Sequence, residues 1–117
     1  MVTIVGGTDP KSNIEPRLIS LLERELASFD FTIECQKKGL VKGRKFVADF
    51  YIPEIKTVIE VDGGVFISSS HTGSGRVKDC DRDMLLMMNP EVVRVVRVTT
   101  DNINLNLVRL LRKLLKS

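Results

Sequence analysis

Two acids stand inside text that is otherwise apolar. The segment Thr57-Val58-Ile59-Glu60-Val61-Asp62-Gly63-Gly64 reads as a β-strand running into a glycine turn. Its alternation puts Val58, Glu60 and Asp62 on one face and Ile59 and Val61 on the other. Upstream, Val47-Ala48-Asp49-Phe50-Tyr51-Ile52 embeds Asp49 in the same way. Carboxylates are rarely buried unless they are paired or hold a cation. Neighbouring strands that both carry one therefore predict a cation site. Oxygen donors at this density suit Mg²⁺, with Mn²⁺ able to substitute. Zinc is disfavoured because His71 is the only histidine. Such an ion can activate water and stabilise charge developing on a phosphate. Plainer readings stay open: Asp62-Gly63 also suits a strand-end turn, and Asp49 could pair with Arg44 or Lys56.

A second constellation lies between the acids' strands and the chain before them. Lys37, Lys38, Lys42, Arg44 and Lys45, interrupted by Gly39 and Gly43, read as a basic loop. Cations so placed neutralise backbone phosphates and release condensed counterions. A solvated hairpin tip is the alternative, and the adjacent acids favour nucleic acid.

The elements that position these residues follow from periodicity. A helix is expected over Asn13–Asp30, with Ile14, Leu18, Leu21, Leu22 and Leu26 in register, Pro16 in its first turn, and Ser12 or Asn13 as cap. Strands are expected at Phe31–Gln36, Phe46–Ile52 and Lys56–Asp62, with a turn at Pro53-Glu54. A Ser/Gly-rich loop from Gly63 to Gly75 carries His71, and a second helix runs from Arg76 to Met88. Its Met84-Leu85-Leu86-Met87-Met88 cluster reads as core packing, with a dimer surface as the alternative. Val92–Val98 is a β-branched strand. A last helix has Leu107, Leu110, Leu111, Leu114 and Leu115 as its apolar stripe and Arg109, Arg112, Lys113 and Lys116 outside. The order αβββαβα predicts an α/β fold with a mixed central sheet flanked by helices.

With 117 residues the chain is expected to form a single domain spanning 1–117. A hydrophobic fraction of 43%, a charged fraction of 28% and a net charge of +3 are those of an ordinary globular protein. No apolar run reaches bilayer length, and Met1–Gly7 lacks the basic and apolar regions of a signal peptide, so cytoplasmic residence is the expectation. Cys35 and Cys80 are expected to be buried free thiols, with a disulfide between them as the alternative. Thr72-Gly73-Ser74-Gly75 lacks the ending of a nucleotide-binding loop, so no nucleoside triphosphate partner is expected.

The text Phe46-Val47-Ala48-Asp49-Phe50-Tyr51-Ile52-Pro53, then Ile59-Glu60-Val61-Asp62-Gly63-Gly64, His71-Thr72-Gly73 and Lys78-Asp79-Cys80-Asp81-Arg82-Asp83, resembles the PD-(D/E)xK nuclease superfamily. In detail it is closest to the branch of very-short-patch repair (Vsr) endonucleases and small bacterial and phage endonucleases. The resemblance spans roughly Glu15 to Thr100. It implies a restriction-endonuclease-like fold in which Asp49 and Glu60 hold the metal, the Val61 carbonyl completes its shell, and Glu15 supplies a further carboxylate. Gln36 matches a glutamine that small relatives keep before the active-site strands. The superfamily's lysine is replaced by Asp62, and the Vsr branch, which also lacks it, implies His71 as the substitute. Lys45, Lys56 and Lys78 are rival stand-ins, and Asp62 itself could assist the metal.

The resulting expectation is a Mg²⁺-dependent DNA endonuclease, gripping the backbone through Gln36, Lys37, Lys38, Lys42, Arg44, Lys45 and Arg76 and through the cationic face of the last helix. The chain has little room for a sequence-reading module, which points to recognition of DNA shape, as in Holliday-junction resolvases acting as homodimers in DNA recombination and repair. A mismatch or restriction-type nickase is the alternative within the class. A non-catalytic DNA-binding subunit that keeps the fold is the alternative outside it.

Overall fold

The computed structural model describes residues 1–61, 81–99 and 105–117. The chain opens with β1 (Val2–Val5), followed by α1 (Ile14–Glu25), β2 (Phe31–Lys38) and β3 (Val47–Ile52). A 3₁₀ turn, Pro53–Ile55, leads into β4 (Thr57–Val61). Helical residues 81–87 (α2), β5 (Arg94–Val98) and α3 (Leu105–Lys116) complete the described chain. The strands form one sheet in the order β1-β2-β3-β4-β5. The outer pairs, β1 with β2 and β4 with β5, are parallel, while β2, β3 and β4 form an antiparallel meander. The architecture is α/β with a mixed sheet, as the periodicity predicts.

β1 is an element the sequence reading passed over. Val2 and Ile4 pack against the core while Thr3 and Val5 face out, the alternation of a strand buried on one side. Other boundaries shift: α1 ends at Glu25 rather than Asp30, and β2 extends to Lys38, so Lys37 and Lys38 are strand residues rather than loop residues. The basic loop proper begins at Gly39.

Helices cover both faces of the sheet. Leu18, Leu22 and Leu26 of α1 and Leu107, Val108 and Leu111 of α3 pack with Phe31, Ile33, Phe50, Ile52, Ile59 and Val98. On the other face Leu86 of α2 packs with Leu40, Val41, Ala48, Tyr51, Val58 and Val92. The split of Val58 from Ile59 and Val61 is the one that alternation predicts. The methionines do not follow their expectation: Met84, Met87 and Met88 are exposed, and among the described residues of α2 it is Leu86 that is buried, with Leu85 partly buried beside it. A helix lying on one face of a sheet needs only one narrow apolar stripe. Leu110, too, is partly exposed while Val108 takes a core position.

Among the described residues no helix is long and apolar enough to cross a membrane. Cys35 is a buried free thiol, as expected. Asp62, His71, Arg76, Lys78, Cys80, the loop expected over Gly63–Gly75 and the helix start expected at Arg76 lie outside the described residues.

Candidate active site

The site is built where two ladders stop being regular. β3 and β4 pair through Phe50↔Ile59, Tyr51↔Val58 and Ile52↔Thr57. One step further, side chains replace the backbone ladder. The Asp49 N–H donates to Glu60 Oε2 at 3.0 Å, and the Val61 N–H donates to Asp49 Oδ2 at 2.8 Å. The strands part at Asp49 and Glu60, and each carboxylate satisfies a backbone donor that the fork would otherwise leave unpaired.

On the other side of β3, the ladder to β2 is interrupted at the same level. Cys35 pairs with Phe50 and Lys37 with Ala48, leaving Gln36 opposite Asp49. Gln36 adopts a left-handed backbone with φ 51°. For a residue with a long side chain this costs on the order of 1 kcal/mol and persists only where the surroundings hold it. The holding contact is to α1: Gln36 Nε2 donates to Glu15 Oε1 at 3.0 Å. Ala48 packs in one core cluster and Phe50 in the other, so the in–out alternation of β3 also breaks at Asp49.

Glu15 is delivered by the first turn of α1. Its N–H donates to Ser12 Oγ at 3.1 Å, and its Oε1 accepts from the Asp9 N–H at 3.1 Å. Asn13 occupies the cap position, while the Ser12 hydroxyl supplies the capping contact, so the two expected cap residues share the task. Gly6, at φ 80°, turns the chain out of β1 toward this segment, where a Cβ would stand 3.0 Å from the Cys35 carbonyl oxygen. Glu15, Asp49 and Val61 then line one cleft of about 410 Å³, together with Asp9, Lys11 and Ser12.

Electrostatics mark the same residues. Burial pushes the Glu15 carboxyl up from its ordinary range, and the Asp49 charge adds to that, against the hydrogen bonds from Asp9 and Gln36. Burial pushes Glu60 up to about 7, with Asp49 adding to the rise while the Asp49 N–H, Arg82 and Arg97 oppose it. Glu60 is 3% exposed. Its Oε1 accepts from Arg82 Nη2 at 3.0 Å. Arg97, beside Glu60 in the parallel β4–β5 register, makes a two-pronged ion pair with Asp83 of α2, at 3.2 and 2.7 Å.

Glu60 therefore faces two ways. One oxygen closes the fork, and the other meets an arginine on the α2 side. Arg82, Asp83 and Arg97 carry no assigned role in the sequence reading. An arginine interrupting the β-branched run Val95-Val96-Arg97-Val98 was the available signal.

Among the described residues no three His, Cys, Asp or Glu side chains lie close enough together to hold a metal ion by themselves. Mg²⁺ does not require that: it keeps several waters and binds through one or two carboxylates plus substrate phosphate. Glu15 and Asp49, oxygen donors in one cleft where the Asp49 charge raises the Glu15 pKa, fit such an ion, with Val61 at the same wall.

The basic residues divide. Lys38, Lys42, Arg44 and Lys45 are exposed around the β2–β3 hairpin, whereas Lys37 is half-buried and pairs with Glu34 at 3.2 Å. Lys56 is at the opposite end of β4 from Glu60 and stands 3.9 Å from Glu91, which removes it as a partner of Asp49 and as a stand-in lysine. Arg112 donates to the Glu25 carbonyl at the last turn of α1, roughly 15 Å along the helix from Glu15. The end of α3 is thus remote from the cleft.

No protein-family model matches the chain, and no curated protein is significantly similar to it.

Proposed function

We propose that this chain is a Mg²⁺-dependent DNA endonuclease of the PD-(D/E)xK superfamily with a restriction-endonuclease-like fold. The observation that carries the reading is the convergence of Glu15, Asp49 and Val61 on one cleft where β3 and β4 part. Asp49 and Glu15 would hold the cation, with the Val61 carbonyl as a neighbouring oxygen and Glu60 within reach through the fork. When bound, the ion would polarise a phosphodiester and lower the pKa of attacking water. Gln36 orients Glu15, and the hydrogen bonds of the fork fix Asp49, so the donors are positioned before any ligand arrives. Lys38, Lys42, Arg44 and Lys45 would hold the backbone as a sequence-independent grip. Preference for branched DNA, and the homodimer that symmetric cutting of a junction requires, are part of the proposal.

One observation favours the rival reading of a non-catalytic DNA-binding subunit. Both Glu60 oxygens and one Asp49 oxygen are already bonded within the chain. The two readings separate in a Mg²⁺/Mn²⁺ cleavage panel of four-way junction, flap, mismatched, linear duplex and single-stranded DNA, with Asp49→Asn as control. The endonuclease reading expects cleavage by wild type, fastest on the junction, and none by the control. Equal rates on every substrate would remove the structure selectivity. DNA binding without cleavage, or cleavage by the control at the wild-type rate, would remove the assigned site.

A further inference from the structure

Lys11 is the one cation among the described residues that line the Glu15–Asp49 cleft, where Asp9 adds a third carboxylate. The hairpin cations lie elsewhere: Arg44 and Lys45 line a different cleft, with Phe46 and Arg82. Three acids lining one concavity repel a phosphodiester. A divalent cation offsets two of those charges, and the Lys11 ammonium matches the third.

The local sequence holds the Lys11 backbone beside the acids. Asp9-Pro10-Lys11-Ser12 is a β-turn closed by the Ser12 N–H, which donates to the Asp9 carbonyl at 3.0 Å. Asp at the first position and Pro at the second are residues that such a turn favours. The Asp9 carboxylate accepts the Lys11 backbone N–H at 2.9 Å, and the Asp9 N–H donates to Glu15 Oε1. The turn is thereby tied to the start of α1. The side chain is not tied. Lys11 is exposed, and its ammonium makes no ion pair or hydrogen bond among the described residues, although acids line the same cleft. Asp9 holds the backbone N–H of this lysine rather than its ammonium. A compact ammonium on a flexible four-carbon stem, pivoting from a fixed backbone, is suited to meet an anion entering the cleft.

We propose that Lys11 is a catalytic residue whose ammonium binds a non-bridging oxygen of the phosphodiester cut in the Glu15–Asp49 cleft. The inference rests on the endonuclease reading above. In the hydrolysis a water oxygen bonds to phosphorus, the P–O bond to one sugar breaks, and a proton from the water ends on the departing sugar oxygen. Lys11 stays protonated throughout. It offsets the repulsion between substrate and acids, and it faces the negative charge spread over the non-bridging oxygens while the bonds exchange.

The test separates phosphate binding from turnover. Dimethyl phosphate is the phosphodiester probe, titrated onto Mn²⁺-loaded protein and followed by paramagnetic broadening of its phosphorus resonance. Mn²⁺ affinity is measured alongside by electron paramagnetic resonance, and the broadening is compared at equal Mn²⁺ occupancy. Lys11→Gln is expected to weaken probe binding about tenfold, the loss of one charge-assisted hydrogen bond, with Mn²⁺ affinity within about twofold of wild type. Lys11→Arg restores a cation and should recover most of that loss. Lys116→Gln, at the far end of α3, should lose nothing. Single-turnover cleavage of a four-way junction should slow about a hundredfold in Lys11→Gln. Each substitution of Lys11 keeps the backbone bonds of the turn, so the fold is expected to survive. Equal probe affinity in wild type and Lys11→Gln, or no saturable broadening by Mn²⁺-loaded wild type, would overturn the inference. So would an unchanged cleavage rate in Lys11→Gln, or loss of its Mn²⁺ affinity together with the probe. All of these leave the cation site standing. Wild-type Mn²⁺ affinity in Asp49→Asn would instead remove that site, and this inference with it.

Discussion

Asp49 and Glu60 are both fork residues, yet their environments differ. Asp49 is half-buried and reaches the Glu15 cleft, while Glu60 is buried and closes toward α2. Asparagine at 49 keeps an oxygen for the Val61 N–H, so Asp49→Asn should leave stability nearly unchanged and abolish Mn²⁺ binding, read by urea unfolding and metal titration on one sample. Glu60 gives a pH signature in the presence of chelator. Its folded-state pKa is raised to about 7, so between the ordinary carboxylate range and that value the folded chain holds more protons than the unfolded one. Stability should therefore fall as pH rises through this window, by on the order of 2 kcal/mol, and level off above it. Among the described residues, the charged groups acting on Glu60 are Asp49 from β3, Arg82 from α2 and Arg97 from β5; Glu60→Gln should flatten the slope. A rise in stability across the same interval would contradict the burial argument. The sequence made these acids legible because an acid in an apolar strand is a local signal. It could not show which way each carboxylate points, because that depends on Arg82, far along the chain.

At the scale of elements, the meander and both terminal helices follow from alternation and helical spacing, whereas β1 does not stand out. Its four residues, Val2–Val5, pair in parallel with a strand reached only after a helix, and no turn announces the partnership. Gly6 is the hinge that makes β1 and Glu15 compatible. Gly6→Ala should destabilise by about 1–3 kcal/mol, seen as a lowered melting temperature, because φ 80° and the 3.0 Å approach to the Cys35 carbonyl both oppose a side chain. The left-handed Gln36 is a related case of strain held beside the site. Gln36→Gly relieves the backbone and deletes the hydrogen bond to Glu15, so it should weaken Mn²⁺ binding at little cost in stability. A variant with lower stability and unchanged metal affinity would make Gln36 a structural residue only. Methionine exposure was illegible for a different reason: a strongly apolar helix segment does not declare how wide a stripe the sheet will cover.

For the whole molecule, a net charge of +3 is small, and any grip on nucleic acid depends on where the cations sit. The structure gathers Lys38, Lys42, Arg44 and Lys45 around one hairpin and leaves the end of α3 remote from the cleft. Substituting Lys42, Arg44 and Lys45 together with glutamine should reduce the slope of log affinity for duplex DNA against log salt by about 2–3, while Lys113→Gln with Lys116→Gln should leave it nearly unchanged. The reverse ranking would relocate the nucleic-acid face to α3.

The proposed endonuclease hydrolyses DNA in the Glu15–Asp49 cleft with a divalent cation. Its most direct test is the rate at which purified wild type and Asp49→Asn cut a four-way junction as Mg²⁺ is added after chelator. Strand cleavage by wild type is expected to rise with Mg²⁺ and to be absent from the variant. Cleavage that is independent of Mg²⁺, or equal in the two proteins, would contradict it.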